Sequence, residues 1–526
     1  MSGAFQIVLH AHLPFVRHPE NDFHLEENWL FEAISETYLP LLEVLHRLRA
    51  DRVPGALTIS FSQPLIAMLD DELLRDRFER HLVKLTRLCE QEVTRTAKSP
   101  DYHALALFYL ERFQTQLALY RRLGRDLFGA FVELHREGRI EVITCVGTHG
   151  FLPLMKHESS RRAQIVTSAE QFYERTGTVA RGMWMGECAY WPGVDAMLAE
   201  AGVRYTFVDT HAVENASARP LRGTWAPIVA PSGTAFFARD PESSQQVWSS
   251  TEGYPGDFAY REFYRDLGFD LPLDTIAPYI HPDGIRMDTG VKYYRVTGKG
   301  EGVTKLPYVR RVAMERVREH ARHFVEGRRK QARDASRFLD IEPVITSPYD
   351  AELFGHWWFE GPEFLEAVLR EAARHSDIHA VTPSAWLQRW PIQQCADPSP
   401  SSWGENGYYS VWLNPENAWI YPLLHHAEDR MQQAARRFVA PSNNERRALN
   451  QAARELLLAQ SSDWAFIIKT NTAVDYAVQR TRDHVQNLHD LLSALDAPSP
   501  ESLDALTTAL ESRSPIFPTI DYRNWR

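Results

Sequence analysis

The chain has 526 residues, a formal net charge of −11 and four scattered cysteines without CxxC spacing. With 44% hydrophobic and 11% aromatic residues it can bury one large core plus an accessory domain, so we expect two or three domains. The acidic balance and the lack of a long basic run exclude nucleic acid as the expected ligand. The cysteine pattern, the amino-terminal sequence without a signal-peptide pattern and the lack of an 18-residue apolar run predict a soluble cytoplasmic protein with no membrane partner.

The first predicted strand, residues 4–9, ends in two alternating histidines, His10 and His12. Alternation along a strand places both imidazoles on one face. Such a pair either binds a metal ion or lines a pocket floor through hydrogen bonds, and the spacing alone leaves both readings open. Trp29 follows near the start of an amphipathic helix, where it belongs either to the core or to a ligand platform.

A second strand is predicted at 56–60, and the next seventy residues are charged and helical in pattern. Because that is more than a crossover between strands requires, we predict a helical insertion at about 65–138. A third strand follows at 140–145 and leads to His149. A histidine where a strand gives way to a loop is typical of a site residue, although it also occurs in structural roles.

Glu187 lies in an apolar and aromatic segment, Arg181–Pro192, without a neighbouring cation. A buried carboxylate without partners costs several kcal/mol, so Glu187 either pairs with a distant arginine or performs chemistry. We expect a strand at 179–185, with Gly186 allowing the turn that presents Glu187 to a cleft.

Asp350 repeats this arrangement. It follows an apolar strand predicted at 341–345 and precedes a run that includes His356 and Trp357. Two carboxylates at strand ends, each flanked by large rings, suit a sugar site. The rings stack on the apolar faces of pyranoses, while carboxylates act as acid, base or nucleophile.

Further strands are predicted at 205–208 and 235–238, followed by Asp209, His211 and Arg239. The glycine-rich and aromatic segment at about 225–305 is predicted to cover the cleft. Alternation of strands and helices over residues 1–390 predicts a parallel β/α barrel, in which sites form at the carboxyl ends of the strands. The candidate carboxylates and histidines all lie at such ends.

The composition changes after residue 390, where a polar linker precedes long amphipathic helices. We predict a helical C-terminal domain at 391–526 that contributes to the cleft. Trp403, Trp412 and Asp463 either fold over the cleft or pack between domains.

Four segments, His10–Pro14, Gly147–Pro153, Met185–Tyr190 and Ser347–Asp350, resemble the ordered signature regions of glycoside hydrolase family 57. Later segments at 402–405, 462–464 and 521–523 resemble its 1,4-α-glucan branching enzyme group. The resemblance implies an α/β fold, an incomplete (β/α)7 barrel with a helical insertion and a C-terminal α-helical domain. It also implies that no metal and no cofactor is required.

By the same resemblance, Glu187 is the nucleophile and Asp350 the proton donor of a retaining enzyme acting on α-1,4-glucan such as amylose or a glycogen-like polymer. Transfer of the cleaved chain to a 6-hydroxyl would make an α-1,6 branch. Arg239, Gly256, Trp403 and Asp463 match glucan-contacting positions of the family. With the residues singled out above, the predicted substrate contacts are His10, His12, Trp29, His149, Arg239, Gly256, His356, Trp357, Trp403, Trp412 and Asp463.

Other functions stay open. Family branching enzymes are associated with a flexible loop that carries a tyrosine near the cleft, whereas Trp225–Arg239 contains Phe236 and Phe237 but no tyrosine. An α-amylase-type hydrolase or a 4-α-glucanotransferase is therefore the enzymatic alternative, and a glucan-binding protein with a decayed site is another. A polysaccharide deacetylase-like metal enzyme would use His10, His12, His149 and Asp209.

Overall fold

The computed structural model describes residues 2–249, 253–298, 304–496 and 499–526. These residues form ten strands, which are short except for the first and the eighth. The strands are β1 Gly3–Ala11, β2 Leu57–Phe61, β3 Glu141–Cys145, β4 Met183–Trp184, β5 Tyr205–Val208, β6 Ile228–Val229, β7 Ala235–Ala238, β8 Val344–Asp350, β9 Ile378–Ala380 and β10 Gln394–Cys395.

Helices account for most of the remaining described chain. They are α1 Glu27–Ala33, α2 Leu39–Ala50, α3 Gln63–Asp70, α4 Glu72–Arg95, α5 Pro100–Arg122, α6 Leu127–Arg136, α7 Glu158–Thr176, α8 Val194–Glu200, α9 Thr210–Glu214, α10 Pro241–Trp248, α11 Leu267–Asp270, α12 Leu273–Ile276, α13 Arg310–Ala335, α14 Gly361–Ala372, α15 Pro383–Arg389, α16 Ile420–Arg437, α17 Asn443–Ala459, α18 Ser462–Thr470, α19 Val474–Ala494 and α20 Pro500–Arg513. A π-helical turn, Ile34–Tyr38, joins α1 to α2.

The central sheet is parallel and has the order β4-β3-β2-β1-β8, with β9 pairing to the start of β1. β1, β2 and β3 are mostly apolar and buried over their whole length, as expected when helices cover a parallel sheet. In register, His10 lies opposite Ser60 on one side and Asp350 on the other. The strand ends therefore bring a histidine and a carboxylate together.

The remaining strands curl this sheet into an incomplete barrel. β5 and β7 pair in parallel within a second sheet of order β10-β6-β7-β5. Single parallel bridges join the two sheets at both seams, Gly182 to Tyr205 and Arg239 to Thr346. Seven strands, β1–β5, β7 and β8, thus surround one core, and the predicted fold class is confirmed.

Helical layers lie around the barrel. α3–α6 fill the connection between β2 and β3, and α16–α20 follow the last strand. The C-terminal helices share a hydrophobic core with the barrel, because Leu456 and Leu488 belong to the same buried cluster as Phe61. The predicted domain boundaries stay predictions. No helix in the described part of the chain is both long and apolar enough to cross a membrane.

Two predicted strands differ from the structure by more than two residues at one end or both. The strand predicted at 179–185 is only Met183–Trp184, because the chain before it lies at the surface, where Val179 is 51% exposed. The strand predicted at 341–345 instead runs over Val344–Asp350, so Asp350 ends the strand itself rather than standing in a loop.

Candidate active site

Glu187 stands at the carboxyl end of β4 in a left-handed backbone conformation, with φ 61° and ψ 26°. Cys188 also has a positive φ, whereas Gly186 does not. The expected role of Gly186 as the turn residue is therefore wrong. Glycine is required there because a Cβ would lie 2.7 Å from the carbonyl oxygen of Gly150.

Two side chains from the C-terminal part of the chain hold the Glu187 carboxylate. The Trp403 Nε1–H donates to Oε2 at 2.8 Å, and the Ser462 hydroxyl donates to Oε1 at 3.1 Å. His149 Nδ1 lies 3.8 Å from Oε1. No arginine or lysine in the described residues pairs with Glu187, so the alternative of a structural ion pair with a distant arginine is not realised.

Asp350 ends β8 in the same cleft, beside His12 and Arg239, whose charges favour its ionised form. Its side chain is exposed to the cleft, yet the cleft walls displace most of the bulk water around it. This desolvation raises the pKa of Asp350 to about 6. Burial raises the pKa of Glu187 to about 7, against the opposing effect of the Trp403 hydrogen bond and with a further increase from the Asp350 charge. The two carboxylates thus share one electrostatic environment.

Three histidines stack side by side along the cleft floor. The ring of His149 lies 4.8 Å from that of His10 and 4.1 Å from that of His12. Burial lowers the pKa of His10 and of His149 well below the usual value, so both are neutral at pH 7. Burial would also lower the pKa of His12, but the Asp463 carboxylate, 3.0 Å from its Nε2, more than offsets this and the pKa is raised.

Two groups of side chains could hold a metal ion by proximity, with ligand atoms within 4.8 Å of one another. Asp209, the acid expected in the deacetylase-like alternative, is in neither group and instead contacts Arg239 at 3.4 Å. The hydroxyls of Ser62 and Ser462 hydrogen-bond the Nδ1 atoms of His12 and His149. The two groups are His10, Cys145 and His149, and His12, His149 and Asp463.

Arg239 and Trp403 form one wall of the cleft. The Arg239 guanidinium lies 5.7 Å from the Trp403 ring, which also packs edge-on against Trp184 at 5.0 Å. Arg239 Nε donates to the Ser244 hydroxyl at 3.0 Å. The predicted contacts Arg239, Trp403 and Asp463 therefore lie beside the two carboxylates.

The other predicted contacts have more varied positions. Trp357 is 56% exposed, and His356 bonds Glu36 at 2.8 Å. Trp29 is partly buried against Tyr476. Trp412 is only 1% exposed and stacks on Phe151, a position that favours a supporting role. Gly256 is exposed in a short turn, and within the described part of the chain no hydrogen bond joins it to the two carboxylates.

Sequence reasoning missed three polar residues of the site. Glu352 accepts hydrogen bonds from the Tyr38 hydroxyl and from the backbone N–H of His12 at 3.3 Å. Burial, together with the Asp350 charge, raises the pKa of Glu352 to about 7. Glu352 lies two residues after Asp350, and this spacing was the sequence signal that could have indicated it. Ser462 lies in the segment 462–464 that resembles the family, although its contact with Glu187 was not predicted, and Tyr38 carried no signal because only the tertiary fold brings it to Glu352.

A parallel β/α barrel with two carboxylates in one aromatic cleft is the architecture of enzymes that act on glycosidic bonds. The model for glycosyl hydrolase family 57 matches residues 6–333, and the chain belongs to this family. The model for the C-terminal part of 1,4-α-glucan branching enzymes matches residues 423–525.

Individual relatives agree with this assignment. The 1,4-α-glucan branching enzyme TK1436 of Thermococcus kodakarensis is 35% identical over 94% of this chain and 74% of its own length. The crystal structure of the α-amylase AmyC from Thermotoga maritima is 42% identical, with a TM-score of 0.93, over 100% of this chain and 99% of that one. The family 57 branching enzyme structure from Pyrococcus horikoshii is 33% identical, with a TM-score of 0.89, over 100% and 97%.

Proposed function

We propose that the chain is a retaining 1,4-α-glucan branching enzyme, with Glu187 as nucleophile and Asp350 as acid/base. The observation that carries the proposal is the common cleft of the two carboxylates. They lie at the ends of β4 and β8, and burial in the cleft raises the pKa of both. Donors from the C-terminal part of the chain orient the Glu187 carboxylate.

In the first step, the Glu187 carboxylate attacks the anomeric carbon of the α-1,4-linked donor while Asp350 gives its proton to the departing 4-oxygen. The bond from carbon 1 to that oxygen breaks, and a glycosyl ester to Glu187 forms. The hydrogen bonds from Trp403 and Ser462 stabilise the ionised form of Glu187. The pKa of about 7 for Glu187 and of about 6 for Asp350 place the shared proton on Glu187 in the free enzyme. The first step requires the other arrangement, so we assign the proton to Asp350 once the donor glucan is bound, the two carboxyl groups titrating as a coupled pair.

In the second step, the ionised Asp350 takes the proton of a 6-hydroxyl from an acceptor glucan, and that oxygen displaces Glu187 from the anomeric carbon. The product is an α-1,6 branch, and both carboxyl groups regain their starting states. If water replaces the acceptor hydroxyl, the same step is hydrolysis. The acceptor site therefore decides the reaction.

The remaining contacts fit roles in holding the donor. We assign His10 and His149 to neutral hydrogen bonding with sugar hydroxyls, since each has a buried Nε2 without a partner among the described residues. The His12 and Asp463 pair is a charged contact at the cleft floor. Trp29, Arg239, Gly256, His356, Trp357, Trp403 and Trp412 stay proposed contacts.

An α-amylase-type hydrolase is the second candidate. The match to the structure named as an α-amylase, at 42% identity, favours it. The absence of a tyrosine between Trp225 and Arg239 favours it too. A 4-α-glucanotransferase would share the first step and differ only in the acceptor hydroxyl. The branching assignment draws its support from the match at 423–525 and from the branching enzyme relatives.

The experiment that tests the proposal is incubation with amylose, followed by enzymatic debranching. New α-1,6 links are counted against new reducing ends. Branching requires α-1,6 links in excess, whereas hydrolysis produces reducing ends alone. For the setting, we propose synthesis of a glycogen-like polymer in the cytoplasm, a reducing compartment that suits the four free cysteines.

A further inference from the structure

Trp357, on the segment that follows Asp350 and β8, presents an aromatic ring to solvent. It is 56% exposed, whereas its neighbour Trp358 is 1% exposed and belongs to the core. The inner face of the Trp357 ring stacks on Phe263 with ring centroids 4.5 Å apart and planes 19° apart. One large face is therefore supported from below and open above, a form that suits a pyranose ring.

The chain connects this stacked pair directly to the acid/base residue. The Trp357 backbone N–H donates to the carbonyl oxygen of Glu352 at 3.2 Å. Glu352 is two residues beyond Asp350, so their Cα atoms are at most about 8 Å apart. The Glu352 carboxylate in turn meets the backbone of His12 at the cleft floor. The segment that carries the open ring is thus anchored next to Asp350 and not next to Glu187.

The stacked pair is held rigidly. The Lys292 ammonium lies 4.5 Å from the Phe263 ring, and His356 packs edge-on against both rings. His356 is fixed by Glu36, which also pairs with the buried Arg261 at 3.1 Å. A platform that is already ordered loses little conformational freedom when a ligand binds.

We propose that Phe263 and Trp357 form an acceptor platform, on which the α-glucan chain that supplies the attacking 6-hydroxyl stacks. This inference rests on the proposed function. The acid/base residue protonates the leaving oxygen and later deprotonates the acceptor hydroxyl, so the acceptor sugar must lie on its side of the scissile bond. The nucleophile lies on the donor side, where Trp403 contacts Glu187. A ring on the Asp350 loop is thereby placed for the acceptor.

The test compares Trp357→Ala, Trp357→Leu and Trp357→Phe with the wild type on amylose. We expect the ratio of new α-1,6 links to new reducing ends to fall about fivefold with alanine, a loss typical of one aromatic contact. Leucine, which keeps apolar bulk but lacks a ring, should lower the ratio as well, and phenylalanine should restore it to within about twofold. Circular dichroism verifies the fold of each variant.

The matched control is Phe338→Ala. Phe338 is 87% exposed and precedes β8, so it lies at the opposite end of the strand from Asp350. Its replacement should leave the ratio unchanged. An unchanged ratio in both Trp357→Ala and Trp357→Leu would overturn the acceptor platform, as would an equal fall in Phe338→Ala.

Failure of the branching proposal is distinguishable from failure of the platform. If the wild type makes no α-1,6 links, the platform is tested by α-1,4 transfer to a fluorescently labelled maltoheptaose. The acceptor KM should then rise about fivefold in Trp357→Ala. No change in the acceptor KM would reject the platform whichever linkage the enzyme forms.

Discussion

The backbone of Glu187 is the most unusual feature of the site at the scale of single residues. A left-handed conformation costs a residue with a Cβ about 1–2 kcal/mol, and the close approach of Gly186 to Gly150 leaves the chain little freedom there. Trp403 and Ser462 bind the carboxylate in that position. His149 and Cys188 also have positive φ angles, so the backbone strain falls on three residues of the site, one of which we assign as nucleophile.

Replacing either carboxylate with its amide tests this assignment. Glu187→Gln prevents formation of the glycosyl ester, and Asp350→Asn removes proton transfer, while neither changes side-chain size. We expect each variant to lose both α-1,6 links and reducing ends by roughly a thousandfold or more, measured on amylose. Full retention of either product in either variant contradicts the assignment.

The pH dependence of the free enzyme follows from the two raised pKa values, about 6 for Asp350 and about 7 for Glu187. The reactive form carries one proton on the pair. As pH falls below about 6 both groups become protonated and the nucleophile is lost, and as pH rises above about 7 both ionise and the acid is lost. A plot of kcat/KM against pH should be a narrow bell between these values. A flat profile from about pH 5 to about pH 8 would exclude this pair.

Trp403→Phe removes one hydrogen bond to the ionised Glu187. A bond to a charged group contributes about 1.5–3 kcal/mol, so kcat/KM should fall about 10- to 100-fold and the pKa of Glu187 should rise. The pH profile measures both effects. Trp525→Phe is the matched control, because Trp525 is buried, its Nε1 has no partner among the described residues and it is not a proposed substrate contact. Its pH profile should equal that of the wild type. Equal profiles for the two variants would refute the role of Trp403.

At the scale of elements, apolar runs in the sequence predicted the seven barrel strands, β1–β5, β7 and β8, whereas the two-residue strands β6 and β10 were not predicted. The limits of β5 and β7 were predicted to the residue. β4 is shorter because its first half faces solvent, and β8 is longer because Pro348 and Tyr349 pair with β1. Register is a long-range property, so the placement of His10 opposite Asp350 could not be predicted from either segment alone.

The amino-terminal turn of α18 completes the histidine floor. The Ser462 N–H donates to the His149 carbonyl oxygen at 3.2 Å, and Asp463 contacts His12. Asp463 raises the pKa of His12 and so favours the charged imidazolium. Burial alone would raise the pKa of Asp463, but the His12 charge outweighs it, and the pKa of Asp463 falls to about 2. These partners pair His12 with Asp463 and hold the Nδ1 of His149 without a metal ion.

Chelation tests this interpretation of the floor. Dialysis against EDTA should leave the rate of amylose cleavage within about twofold, because Ser62, Ser462 and Asp463 already satisfy the ligand atoms of His12 and the Nδ1 of His149. The control is a sample dialysed without chelator. Loss of activity that zinc restores would instead support the deacetylase-like alternative.

At the scale of the whole molecule, distant parts of the chain complete one cleft. Ser462 is separated from Glu187 by 275 residues and Trp403 by 216. The sequence indicated Trp403 and Asp463 as residues that either fold over the cleft or pack between domains, and the family resemblance added a substrate role, but neither predicted their contacts with Glu187 and His12. The carboxylates, by contrast, were evident from their apolar surroundings. Family membership is confirmed, while the individual substrate contacts stay predictions.

The choice between branching and hydrolysis also belongs to the whole molecule, since it depends on how the acceptor side of the cleft excludes water. The most direct test is debranching of amylose after incubation with the wild-type enzyme. The account predicts new α-1,6 links in clear excess over new reducing ends. Accumulation of reducing ends without α-1,6 links would contradict it.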